Sequence, residues 1–412
     1  MKIEIDPARL LSEIEELASI SEAEPPAVTR IVFTPADLRA RAWLVARCEA
    51  AGLKVRCDAI GNTFARWEGS DPNARIVGTG SHIDAIPNAG KYDGVVGVLG
   101  GLEAVRALKR GGLKPKSSLE LLMFTSEEPT RFGVGCVGSR LLAGTLTPSA
   151  ARELKDSNGE SLDEVRRKAG FDGKLESVEL PQGYYKAFVE LHIEQGPLLE
   201  HERIPLGVVT KIAAPASARV TIEGVGGHAG GVLMADRHDA LCAAAELILA
   251  IESAARTSGS PDNVATVGMC DVFPGAVNSI PSRVQISVDV RDTNLAKRDG
   301  VMLLIKSASK EITARRGVTI EIELLNADAP AECAPVIVDA LSAACKKHRE
   351  QFMTMTSRAY HDSLFISRIA PVAMLFIPCR NGYSHRPDEY ASIQDIARGA
   401  LVLAETLAAL SA

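Results

Sequence analysis

The sequence predicts an α/β chain with an inserted α+β domain, and three observations carry that prediction. First, 412 residues, 46% of them hydrophobic, can bury more core than one ordinary domain uses, so two domains are expected. Second, Gly80 to Gly101 (GSHIDAIPNAGKYDGVVGVLGG) follows an apolar segment at Ala74 to Gly78 and runs into a helical pattern at Val95 to Leu108. That is a strand, a polar loop and a helix, and ligands of open α/β sheets collect at such carboxyl ends of strands. Third, the segments between Ala216 and Leu325 follow the order β-α-β-β-α-β, the split βαβ arrangement.

The first helix starts at Asp6, with Pro7 at its first position and Leu10, Leu11, Ile14 and Leu17 on one face. Thr34-Pro35-Ala36-Asp37 opens a second helix, which runs over Ala40 to Ala51. Leu53 to Asp58 and Thr63 to Trp67 alternate as strands around Gly61-Asn62. Ser118 to Thr125 is a buried strand that leads straight into Ser126-Glu127-Glu128-Pro129, and Ala187 to Ile193 is another, leading into Glu194-Gln195-Gly196-Pro197. Residues 147 to 183 form helices with polar loops.

The inserted domain is placed at 213 to 329, leaving 1 to 212 and 330 to 412 as one discontinuous domain. Its strands are Ala216 to Glu223, Asn263 to Phe273, Arg283 to Asp292 and Val318 to Leu325. Its helices are Asp239 to Ile251 and Asp299 to Arg315, expected on one face of a four-stranded sheet. After it come a helix at Pro335 to Phe352, a helical segment at Ser363 to Ile369, a buried strand at Ala370 to Ile377, a glycine loop ending on His385, and a closing helix at Ser392 to Leu410.

Composition excludes several classes. The net charge is -6 with no long basic block, which argues against a nucleic-acid partner. No GxxxxGK[ST] phosphate loop and no membrane-length apolar run occur. The N-terminus lacks the basic start and apolar core of a signal peptide, and the eight cysteines are scattered without a C-x-x-C. Both point to reduced cysteines and a cytoplasmic protein.

His82, Asp93, Glu128, His192 and His385 all fall at or just after predicted strand ends outside the insertion. Two carboxylates and three imidazoles form an N/O set that borderline divalent metals accept. Two ions a few ångströms apart need a bridging carboxylate, and Glu127 is left over as a base for a shared water. No single pair among these residues is diagnostic; their distribution over separate strand ends is.

The segments GSHIDAIPNAGKYDGVVGVLGGLEA, FTSEEPTRFG, LHIEQGP, GVGGHAGGVLMADRHDAL, FPGAVNSIPSRVQISVDVRD and YHDSLF...GYSHRPDEY resemble the M20 metallopeptidase-like amidohydrolases of the hydantoinase/carbamoylase branch. The resemblance runs through nearly the whole chain. It implies an αβα catalytic domain with a mixed central sheet and an inserted lid and dimerisation domain with a four-stranded antiparallel sheet and two helices. It implies that His82 and His192 ligate one metal, that Glu128 and His385 ligate the other, and that Asp93 bridges. Asp84 would orient His82, and Glu127 would be the general base. His228 in GGHAG would donate to the developing oxyanion, reaching into the partner subunit's site. Asn278 and Arg291 would hold a substrate carboxylate, and Gln195 and His361 would contact the ureido or carbamoyl end.

The implied activity is metal-dependent cleavage of the ureido C–N bond of a small carboxylate. S-ureidoglycolate is favoured, with glyoxylate, ammonia and carbon dioxide as products; N-carbamoyl-L-amino acids, β-ureido acids and allantoate are the alternatives. Two divalent ions per subunit are implied, manganese favoured over zinc, cobalt or nickel, in a homodimer formed through the inserted domain. A catalytically silent binding protein on the same fold is the non-enzyme alternative; it predicts a missing base or ligand, and none is missing.

Overall fold

A computed structural model describes residues 2–412. The described chain divides into two compact units, one of residues 2–210, 332–355 and 361–412, the other of residues 211–331 and 356–360.

The first unit is built on a nine-stranded mixed sheet. At its centre, Val372–Ile377, Tyr185–Ile193, Ile76–His82 and Leu119–Phe124 run parallel, in that order. Thr63–Trp67 and Lys54–Cys57 continue it antiparallel. These central strands are buried except at Ile76 and Lys186, as expected when helices cover both faces of a parallel sheet. On one face pack the helices Pro7–Ser19, Val95–Arg110, Pro335–Lys347 and Ile393–Leu410. On the other, Phe64, Leu122, Phe124 and Phe188 of the sheet meet Leu141, Leu142, Leu162 and Ile366 of shorter helices. Helix starts follow the sequence: Asp6 Oδ1 accepts from the Arg9 N–H at 3.0 Å, with Pro7 at the first position.

Two differences from the sequence expectation bear on the site. The strand expected to stop at Gly78 runs on to His82, so His82 belongs to the sheet rather than to a loop. Gly80 is what permits this, because a Cβ there would lie 1.8 Å from the Leu122 carbonyl oxygen on the neighbouring strand. The polar loop that follows also contains a short strand, Ala85–Ala89, paired antiparallel with Val28–Arg30. Gly207–Ile212 and Met353–Ser357, peripheral strands without a long apolar run, were not expected either.

The second unit has an antiparallel sheet in which Arg283–Asp292 and Ala214–Glu223 are central and Thr319–Ala327 is an edge. Ala240–Arg256 and Leu295–Arg316 cover it through one apolar core. The strand expected over Asn263 to Phe273 is broken into Val264–Thr266 and Cys270–Phe273, both paired with Arg283–Asp292. Thr266 pairs with Asp289 but Cys270 with Ile286, so one extra residue is accommodated between them, as in a β-bulge. The four expected strands are thus five by count along four lanes.

Candidate metal centre

Four neighbouring strands deliver the site from their carboxyl ends. Ile76–His82 ends on His82. Leu119–Phe124 leads through Thr125 and Ser126 to Glu127 and Glu128, and Tyr185–Ile193 carries His192. Val372–Ile377 leads into the loop that holds Ser384, His385 and Glu389. Asp93 arrives separately, just before the helix Val95–Arg110. Ser126, Gln195 and His385 all hold left-handed backbone with φ of 57°, 55° and 60°. Non-glycine residues hold that conformation at a cost and cluster at functional sites. Between Asp93 and the helix, Gly94 has φ of 66°, and a Cβ on it would lie 2.5 Å from His82 Nε2.

Asp93 is the centre of the arrangement. Its Oδ1 faces His82 Nε2 at 3.5 Å and His192 Nε2 at 3.2 Å, and its Oδ2 faces His385 Nε2 at 3.5 Å. His385 Nε2 is also 3.2 Å from Glu128 Oε1. Three groups of described residues bring donor atoms close enough to share an ion; His82–Asp93–His192 and Asp93–Glu128–His385 have Asp93 in common, and the third is Glu190–His192–His361. The Nδ1 atoms of His82 and His192 lie 3.0 and 2.9 Å from the backbone carbonyls of Asp84 and Ile193. Those contacts hold the proton on Nδ1 and turn Nε2 toward Asp93. Glu127 Oε2 is 3.7 Å from His82 Nε2, and its Oε1 accepts from the Cys136 thiol at 3.4 Å.

The electrostatics are those of a crowded buried carboxylate and imidazole cluster. Burial opposes charge on His82, but Glu127, Asp93 and Asp84 overcome it and raise its pKa well above the usual value. His385 is raised to about 9, chiefly by its hydrogen bond with Glu128. Burial opposes ionisation of Asp93, yet His192 and His82 hold its pKa well below the usual carboxylate range. Burial, with Glu128, Asp362 and Asp93 nearby, pushes Glu127 well up. A carboxyl with a raised pKa beside a carboxylate held ionised is the division of labour that acid–base chemistry needs.

The donor set fits divalent ions. It is N/O only, it forms two groups around a shared carboxylate, and Gln195 Oε1 is buried there without a hydrogen-bond partner among the described residues. Residues 78–409 match the peptidase family M20/M25/M40. The chain belongs to that family. It is 50% identical to a ureidoglycolate hydrolase of Arabidopsis thaliana, over 99% of this chain and 87% of the relative. It is 39% identical to an N-carbamoyl-L-amino acid amidohydrolase of Geobacillus stearothermophilus, over 97% of each. The crystal structure of AtUAH in complex with glyoxylate superposes with a TM-score of 0.92 at 50% identity, covering 99% of this chain and 98% of that one.

As an M20 hydrolase the chain has its candidate acid–base and ligand side chains in the first unit, with some placements the sequence did not predict. Asp84 was expected to orient His82 through its carboxylate. Its carbonyl lies nearest His82 Nδ1, at 3.0 Å, with carboxylate Oδ1 at 3.8 Å, and the carboxylate also accepts the N–H groups of Glu127 at 3.3 Å and Glu128 at 3.1 Å. Burial pushes that carboxyl up to about 6. Gln195 donates to Asp93 Oδ2 at 2.6 Å. His361 is buried and packs edge-on against His192, with ring centroids 4.5 Å apart. In the second unit, His228 is exposed on a short strand paired with Ser279–Ile280, and the Ala229 N–H donates to the Asn278 carbonyl. Arg291 is ion-paired with Asp289 at 2.7 Å and lies over the Tyr360 ring.

Several contributors escaped the sequence reading. Glu389 accepts the Tyr92 and Asp93 N–H groups at 2.8 and 3.1 Å, and Ser384 donates to both Asp93 and Glu389. Glu190 is fully buried and accepts from Ser81 at 2.7 Å and Ser363 at 2.6 Å, tying two strands to the helix Asp362–Ile366. Glu190 carried a usable signal: an acid inside an apolar strand, on the same face as His192 two residues on.

Proposed function

We propose that the chain hydrolyses the ureido C–N bond of S-ureidoglycolate, with two divalent metal ions held by His82, His192, Glu128 and His385 about a bridging Asp93. The observation that carries this is the two-sided placement of Asp93, and the substrate comes from the 50% identity to the Arabidopsis ureidoglycolate hydrolase. Two ions so held would polarise the ureido carbonyl and acidify a water.

The chain's own groups do the rest. Glu127 takes the proton of the attacking water and returns it to the leaving nitrogen. His228 donates to the developing oxyanion from the partner subunit. Asn278 and the planar fork of Arg291 hold the substrate carboxylate, while Gln195 and His361 line the ureido end. Carbamic acid then falls to carbon dioxide and ammonia, and the released hydroxyglycine falls to glyoxylate and a second ammonia.

The homodimer is proposed through the inserted unit. Leu303, Leu304, Leu324 and Leu325 are each more than half exposed on its helix Leu295–Arg316 and its edge strand Thr319–Ala327. Manganese is the proposed metal: the thiolate-free donor set admits it alongside zinc, cobalt and nickel, and the family resemblance favours it. A cytoplasmic location is proposed on the eight unpaired cysteines. Among the described residues no helix is long and apolar enough to cross a membrane.

A second reading, an N-carbamoyl-L-amino acid hydrolase, is favoured by the Geobacillus relative. The deciding experiment is ammonia release from ureidoglycolate, allantoate and several N-carbamoyl amino acids by manganese-loaded protein, with and without EDTA. EDTA-sensitive turnover of ureidoglycolate above the others is expected. Preference for a carbamoyl amino acid selects the second reading, and no chelator-sensitive turnover of any of them means a binding protein.

A further inference from the structure

The first unit contains a cavity of about 880 Å³ outside the candidate metal centre. Four arginines line it, Arg203, Arg349, Arg380 and Arg398, each from a different segment of the chain. Its carboxylates are already engaged. Glu200 accepts the Asn381 N–H at 2.6 Å, and Glu350 and Asp395 both pair with Arg398, at 3.5 and 2.9 Å. Among the described residues, Arg203, Arg349 and Arg380 have no carboxylate at ion-pair distance. All four arginines are exposed, and like charges gathered on one cavity wall favour an anion among them. Arg203 and Arg349 both hold left-handed backbone with φ of 57°, just past the helices Leu198–Glu202 and Pro335–Lys347. Glycine takes that conformation freely, so the backbone there gains nothing from an arginine.

One wall of this cavity is the base of the loop that carries His385. The Arg380 N–H donates to the Tyr390 carbonyl at 2.8 Å, and the Arg380 guanidinium stacks 4.2 Å from the Tyr390 ring centroid. Those two contacts close residues 380–390, which include Ser384, His385 and Glu389. The Tyr390 ring meets Tyr92 edge-on at 6.0 Å, and Glu389 holds the Tyr92 and Asp93 N–H groups.

The geometry points to a second ligand site in this cavity, for a small metabolite bearing at least two negative oxygens, a phosphate ester or a dicarboxylate, whose binding fixes the 380–390 loop. Guanidinium forks give such anions two-point contacts, and the volume is that of a small-molecule site. The site stands apart from the ureido reading, because its test needs no turnover.

Inorganic phosphate and succinate are titrated separately, by calorimetry, into the metal-loaded full chain and into the double variant Arg203→Gly, Arg349→Gly. Glycine relaxes both left-handed residues, so the fold is retained, and a melting curve verifies it. Hydrogen exchange of residues 380–390 is followed in the same samples. Saturable binding of one anion per chain is expected, weakened about tenfold or more in the variant, with slower exchange in 380–390 for the wild type only. Phosphate alone binding identifies the ligand as a phosphate; succinate alone identifies a dicarboxylate. The proposal is overturned if neither anion binds the wild type up to about 10 mM. It is equally overturned if the variant binds as well as the wild type, which would put the anion at the metal centre, or if bound anion leaves exchange in 380–390 unchanged.

Discussion

Asp84 brings its backbone carbonyl to 3.0 Å from His82 Nδ1, nearer than its carboxylate Oδ1 at 3.8 Å. The carboxylate also holds the Glu127 and Glu128 N–H groups, so one residue fixes an imidazole on one strand end and two acids on the next. Replacing Asp84 by Ala removes the anchor of both acids while leaving the carbonyl contact to His82 in place. Activity should fall about 10- to 100-fold, the usual scale for groups that orient a metal site. Asn, which keeps one acceptor, should lose less. Equal activity of the wild type and Asp84→Ala in steady-state assays would show that the loop holds itself.

Glu127→Gln tests the base. The amide keeps the shape but cannot take a proton, and kcat should drop about 10²- to 10⁴-fold. Metal content, measured by plasma mass spectrometry, should be unchanged, because Glu127 lies in neither ligand group. Loss of metal along with activity would make Glu127 a ligand instead.

Metal uptake should depend on pH, and the direction is fixed. The pKa of His385 is raised to about 9, and that of His82 is raised well above its usual value. At neutral pH both rings are protonated in chelator-stripped protein and must lose a proton to ligate. Affinity should therefore climb as pH rises and level off as each ring's pKa is passed, near pH 9 for His385. Calorimetry in buffers of different ionisation enthalpy should show proton release on binding at pH 7.5. Affinity that is flat from pH 6 to 9 would exclude these rings as ligands.

The cross-subunit role proposed for His228 has its own test. Glu127→Gln and His228→Ala homodimers should each be nearly inactive. After subunit exchange, heterodimers contain one site free of both changes, restoring roughly a quarter of wild-type activity at equal mixing. No recovery would confine His228 to its own subunit.

The two-unit organisation was legible because it rests on period and order: buried runs for the central strands, alternation and alanine-rich helices for the insertion. His82, Asp93, Glu128, His192 and His385 were legible as polar residues at strand ends, and the structure brings all five together. What the sequence hid was set by tertiary contact. Gly80 looks like a loop residue until the approach of Leu122 makes it a strand residue. Asp84 reads as a carboxylate partner for His82, and only the fold adds the Glu127 and Glu128 N–H groups to its oxygens. Glu389 sits four residues after His385 in a loop, and only the fold brings it under Asp93. The left-handed backbone of Ser126 and Gln195 has no propensity signal, because those residue types do not favour it.

The central claim is that Asp93 joins two ions, and metal counting on Asp93→Ala tests it most directly. The wild type should bind two divalent ions per chain after loading and desalting. Asp93→Ala should bind none, because both ligand groups lose their shared member, while its melting curve shows it folded. Two ions retained per chain in Asp93→Ala would contradict the bridge and with it the two-metal account.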